Sequence, residues 1–267
     1  MKPDDSEIPV DEASQQFVDE FGNCPIHRIV QLKYFYKMIG ACCGCNSVNT
    51  LVKSALWEDR NEGFFYKMPK RFRDGTPLDG TQDWLNRVFG QSWSFNDESD
   101  TCYMWNFYGP TKKNKLVQVS TTVRKLWDET KRSVFTPNER RFIYLRKVEY
   151  APLPMIRSFR DIGFEEQAGS SPDHLEELYV KTLFLKNSPY SFEREVRLVQ
   201  SFESGIEHRI DPLRANIYDY RISAIDMIEK VVASPFMNDA DFARLCRIIN
   251  RRSLLPLNIL KRSSLFS

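Results

Sequence analysis

Between Tyr190 and Val199 the sequence reads Tyr-Ser-Phe-Glu-Arg-Glu-Val-Arg-Leu-Val, and its charges at every second position are the residues best suited to chemistry. In a strand, alternation puts Glu193, Glu195 and Arg197 on one face. Two neighbouring carboxylates can do acid–base work, because burial or mutual repulsion raises the pKa of one of them. They can also grip the two hydroxyls of a ribose, and Arg197 would keep Glu195 ionised. The same spacing fits a solvated cluster in which Arg197 neutralises a carboxylate on an exposed sheet face. Phe192, Val196 and Leu198 fall on the opposite side and supply a buried face. Arg194 interrupts that face and must reach solvent or a partner.

Other side chains offer weaker chemistry. Ser92-Trp-Ser94 and Ser120-Thr-Thr122 place small hydroxyls at the ends of strands, where they could hydrogen-bond a ligand but more often cap helices or form turns. His27-Arg28 pairs an imidazole with a guanidinium fork suited to phosphate. Trp105 and Tyr108 lie in an aromatic run that could stack a base or a nicotinamide ring, although such a run on a short helix is more often core. Cys24, His27, Cys42, Cys43 and Cys45 are ligand types that zinc accepts, but paired C-x-x-C knuckles are absent, so reduced thiols and no metal are expected. Nucleophile elbows, phosphate-binding glycine loops and H-E-x-x-H are also absent.

The elements that must position these residues follow from pattern and punctuation. Residues 1–24 are polar and acidic and predict a loosely held segment, followed by one α+β domain over 25–267. Ile26 to Ile39 predicts a strand leading into a helix, Ser47 to Trp57 a helix, and Gly63 to Met68 a strand closed by Pro69 before a turn-rich stretch at Arg73–Gly80. Gln91 to Phe95 predicts a short strand, and Thr101 to Tyr108 a helix capped by Ser99-Asp100. Lys115 to Thr122 is strongly strand-like and leads into a helix over Val123 to Thr130. One or two strands follow over Arg141 to Tyr150, then a helix over His174 to Leu185 directly before the charged strand. Ala224 to Val232 ends in a strand, and Asp239 to Asn250 carries the apolar stripe of an amphipathic helix. With no repeat and no low-complexity linker, these elements predict a single domain with a mixed, largely antiparallel sheet and flanking helices.

The chain has 267 residues, 42% hydrophobic and 13% aromatic, enough for a substantial core. Its net charge of +2 gives no global argument for nucleic acid or an anionic membrane, while local basic patches stay open. No apolar run reaches the length of a membrane span, and the start lacks a signal-peptide core, so a cytoplasmic protein is expected.

In their order, Ile26-His-Arg28, Met68-Pro-Lys-Arg-Phe-Arg-Asp74, Trp93-Ser-Phe95 with Tyr103-Met-Trp-Asn-Phe-Tyr108, and Tyr190 to Arg197 resemble a bacterial family of unknown function. That family carries Y-x-Y-R, S-P-x-x-F-N-D-P, F-S with L-M-W-x-H-Y, and W-x-Y-E-x-E-Y-R. The M-W-x-x-Y and E-x-E-x-R elements carry the likeness, which spans residues 26–250. Arg73 stands where the family has Asn, and Asn106 or Phe107 where it has His. Some members sit in defence or abortive-infection settings. The order of a His or Arg on an early strand, Ser-x-Ser on a middle one and Glu-x-Glu on a late one is also similar to ADP-ribosyltransferases. That resemblance implies NAD as substrate, with Glu195 as the catalytic carboxylate and Glu193 on the acceptor side. Ser94, with Ser92, would support the site; Arg28 or His27 would hold NAD; Trp105, Tyr108 and Arg197 would complete it. The acceptor would be a protein or nucleic acid, with a regulatory partner protein and a toxin or anti-phage role. The alternative is a non-catalytic recognition or interaction module in a defence system.

Overall fold

The computed structural model describes residues 11–41, 46–53, 88–95, 105–106, 115–133, 141–152, 180–202 and 216–265. The fold is α+β with a mixed, mostly antiparallel sheet and helices. The chain divides into two compact units, one of Met1–Ser14, Leu51–Gln91 and Pro137–Tyr218, the other of Gln15–Thr50, Ser92–Thr136 and Asp219–Ser267. The chain passes from one unit to the other repeatedly and within regular elements, so no linker composition marks the boundary.

The second unit is built on α1 (Glu12–Phe21), β1 (Pro25–Gln31), α2 (Leu32–Met38), β2 (Val48–Lys53), β3 (Val88–Ser94), β4 (Leu116–Thr122) and α3 (Val123–Arg132), with part of α1, β2 and β3 assigned to the first unit. β1 pairs antiparallel with β4 along its whole length, from Pro25↔Thr122 to Gln31↔Leu116. Gly40, at φ 67°, ends the turn after α2 in the left-handed conformation that glycine adopts without a Cβ clash. At the start of α3 the Thr122 hydroxyl accepts a hydrogen bond from the Lys125 N–H at 3.2 Å. Val123, Leu126, Trp127 and Thr130 then form a buried stripe at helical spacing.

Residues 12–21 correct the expected loose segment. Their polar composition hides an apolar face, and Phe17 and Val18 are buried, with Phe17 against Phe21 at a centroid distance of 5.3 Å. Val48 to Lys53 is a strand, not the predicted helix. Val48, Thr50 and Val52 are β-branched or alternate with polar residues, a pattern that suits a pleated surface better than a helix.

The second unit closes with β9 (Ile217–Arg221, in part), α4 (Ala224–Met227), β10 (Lys230–Ala233), α5 (Asp239–Arg252) and β11 (Leu260–Arg262). β10 lies antiparallel to β4 and parallel to β11. The Asn238 side chain caps α5 by accepting from the Asp241 N–H at 2.8 Å, and Leu245 and Ile249 bury its inner face.

In the first unit, β5 (Arg141–Lys147) runs antiparallel to β8 (Glu195–Phe202) over seven pairs, from Arg141↔Phe202 to Lys147↔Val196. β6 (Glu149–Ala151) and β7 (Leu185–Asn187) form a separate parallel pair that sets Tyr150 opposite Lys186. Every residue of β8 is buried, so both faces of this strand are packed. Phe202 meets the rings of Phe89 and Tyr218 at 5.9 and 4.7 Å. The strand predicted at Gly63–Met68 and the turn at Arg73–Gly80 lie outside the described residues.

Candidate functional site

The charged motif is shaped by a turn as well as by a strand. Ser188–Glu193 is a 3₁₀ helix begun by Pro189, and β8 starts only at Glu195. Arg194 between them has φ 43° and ψ 54° and is the sole non-glycine residue with positive φ among the described residues. An L-residue adopts this conformation only where its surroundings impose it. The expected strand over Tyr190–Val199 is corrected here. Alternation relates Glu195 to Arg197, but Glu193 reaches the cluster through the left-handed turn. Phe192 is 47% exposed rather than buried, while Val196 and Leu198 are core. Arg194 itself is exposed.

Four charged side chains converge. Lys186 Nζ donates to Glu193 Oε2 at 2.8 Å and to Glu195 Oε2 at 3.2 Å. Arg197 donates from Nε to Glu195 Oε1 at 2.8 Å and from Nη2 to Oε2 at 3.0 Å, and its Nη1 donates to the Leu183 carbonyl. All four are inside the protein: Arg197 is 0%, Glu193 2%, Glu195 3% and Lys186 6% exposed. Removing such charges from water costs several kcal/mol per ion unless each is paired. Two cations and two carboxylates balance, so the ionised forms need no outside counter-ion.

Tyr150 completes the cluster. Its phenolic oxygen accepts the backbone N–H of Glu195 at 2.9 Å, and the Lys186 ammonium lies 5.2 Å from the Tyr190 ring centroid. Burial pushes the Tyr150 phenol up to about 12, and the charges of Glu195 and Glu193 add to that rise; the Glu195 N–H and Lys186 oppose it. Lys186 and Tyr150 had no signal in the sequence, because they enter through the parallel β6–β7 pairing, which no local pattern encodes.

The residues expected to hold NAD lie in the other unit. There His27 on β1 faces Ser94 on β3 and Ser120 on β4, and its Nδ1 is 2.8 Å from Ser120 Oγ. All three are buried. Arg28 follows His27 in the strand and therefore points to the opposite face, so these two cannot act as one fork. Ser92 shares the face of Ser94 and is half-buried. Trp105 is fully buried in a cluster with Leu116 and Val232, which is the core role weighed for it, not a stacking platform. Tyr108, Cys42, Cys43 and Cys45 lie outside the described residues. Cys24 is a half-buried free thiol, and among the described residues no three ligating side chains gather as for a metal.

No family model, no curated protein and no solved structure matches this chain. Among the described residues no helix is long and apolar enough to cross a membrane.

Proposed function

We propose that the chain is an NAD-consuming, ADP-ribosyltransferase-like enzyme in which Glu195 is the catalytic carboxylate and Glu193 the acceptor-side group. The observation that carries this reading is the convergence of the two carboxylates on one ammonium at a loop-to-strand junction, in E-x-E spacing. Arg197 fixes the orientation of Glu195, and Lys186 bridges the pair. Displacing Lys186 releases Oε2 of Glu193 and leaves Oε2 of Glu195 held by Arg197 alone, with a second acceptor site open, so each carboxylate could take one ribose hydroxyl.

The chemistry then follows from charge. The bond between ribose C1′ and the nicotinamide nitrogen breaks, its electron pair leaves with nicotinamide, and positive charge develops at C1′. The negative charge of Glu195 stabilises that centre. An acceptor side chain, a base or water bonds to C1′, and its proton passes to Glu193. A macromolecular acceptor, a regulatory partner protein and a toxin or defence setting rest on the family resemblance and belong to the same proposal. Nicotinamide release from NAD by the purified protein tests the reading; no release from NAD in the folded protein removes it.

One observation favours a second reading, a non-catalytic recognition or interaction module. Both oxygens of Glu195 are already held and the four charges cancel, which is what a purely structural ion cluster requires. On that reading Glu195→Gln destabilises the protein and the wild type turns over no NAD.

A further inference from the structure

From Phe242 onward the sequence holds six cations and no acidic residue, a charge of +6 in a chain whose total is +2. Four of the six lie on α5 as Arg244, Arg247, Arg251 and Arg252, all exposed. None of them forms an ion pair among the described residues; the acidic residues of α5, Asp239 and Asp241, sit in its first turn, and Asp239 binds Arg262. Arg251 and Arg252 complement the C-terminal end of the helix dipole. Arg244 and Arg247 are mid-helix, where the dipole gives them no such role.

The spacing is the second observation. At 100° per residue, Arg244, Arg247 and Arg251 fall within about 60° of one another, stepping along the axis by about 4.5 and 6 Å. They form a single stripe on the outer face, opposite the buried Leu245 and Ile249. Flanking positions on the exposed side are Ala243 and Asn250, and no exposed large hydrophobic residue lies on α5.

We infer that this stripe docks the phosphate backbone of a nucleic acid. Guanidinium forks match phosphate oxygens in shape and charge, and they are always ionised. A regular row of them fits a regular row of phosphates, whereas an acidic protein surface offers carboxylates at irregular spacing. A helix that binds a lipid surface turns its apolar side to the acyl chains; here that side is spent on the protein's own core. Phe236 just before α5 and Leu254 and Leu257 just beyond it are 37%, 82% and 42% exposed and would suit lipid, and the experiment separates that outcome. The inference stands apart from the carboxylate cluster and holds whether or not NAD is consumed.

Fluorescence anisotropy with a labelled mixed-sequence DNA duplex and a labelled single-stranded RNA, each of about 20 nucleotides per strand, tests it. Three phosphate contacts predict affinity falling about 40-fold for the duplex and about 20-fold for the single strand as salt rises from 50 to 200 mM. The combined variant Arg244→Glu/Arg247→Glu/Arg251→Glu should lose at least about tenfold in affinity, whereas the matching Lys variant keeps most of it. Arg247→Glu alone should lower the slope of log affinity on log salt by about one, which guards against misfolding of the triple variant. The inference is overturned if wild type binds neither probe at 50 mM salt, if binding survives the triple reversal, or if anionic phosphatidylserine vesicles bind and the nucleic acids do not.

Discussion

Arg197 closes on Glu195, two residues before it in β8, as a fork: Nε lies 2.8 Å from Oε1 and Nη2 3.0 Å from Oε2. The third guanidinium nitrogen holds the Leu183 carbonyl, so one buried arginine ties the carboxylate to the last residue of a short helical stretch over 180–183, just before β7. A lysine has no planar fork and cannot make these bonds together. Arg197→Lys is therefore expected to lower stability by about 2 kcal/mol, read as a lower urea midpoint with an unchanged slope.

Glu195→Gln leaves Arg197 and Lys186 facing a neutral amide in a buried site. Breaking one partner of a buried pair costs about 3 kcal/mol. Urea unfolding at neutral pH checks this. A loss below about 0.5 kcal/mol, the range of a surface substitution, would mean that the cluster is not closed as described.

Asp11 gives a pH signature in the first unit. Burial alone would raise its carboxyl, but hydrogen bonds from Arg146 and Ser14 and the Arg146 charge outweigh burial and hold it below the usual carboxylate range; Arg146 Nε lies 2.9 Å from Oδ2. A depressed pKa in the folded state adds stability that is present above the ordinary carboxylate pKa and is lost as pH falls through the folded value. Wild type should therefore be more stable than Asp11→Asn at pH 7, and the difference should shrink on acidification below about pH 4. Urea titrations across that range check it.

Tyr150 acts at the other end of the scale. Its phenol, raised to about 12 chiefly by burial, favours the protonated form in the fold. That contribution is complete below the ordinary phenol pKa of about 10 and disappears as pH rises toward 12. In an ultraviolet titration, Tyr150→Phe should remove one late-ionising phenol and leave the earlier ones in place.

Parts of this arrangement were legible in the residues. The strand at Lys115–Thr122 and the helix after it announced themselves by β-branched alternation followed by a helical stripe, and β4 and α3 stand where they were expected. The proximity of Glu195 and Arg197 followed from period two alone. The route of Glu193 did not, because it depends on Arg194 adopting a left-handed conformation that no residue type there demands. Burial of the whole cluster was equally hidden. It requires β5 along one edge of β8 and the β6–β7 pair bringing Lys186 and Tyr150, all contacts between segments distant in sequence. The helix expected at Ser47–Trp57 failed for the same reason: Val52 and Lys53 pair with Gly90 and Phe89, and partners decide a strand more than local propensity does.

The most direct test of the central claim is nicotinamide release from NAD by wild type and by Glu195→Gln, measured where circular dichroism shows both to be folded. The account predicts release by wild type and a loss of at least about 100-fold in the variant, as expected for removing charge stabilisation at the reacting centre. Equal rates in the two proteins, or no release by folded wild type, would contradict it.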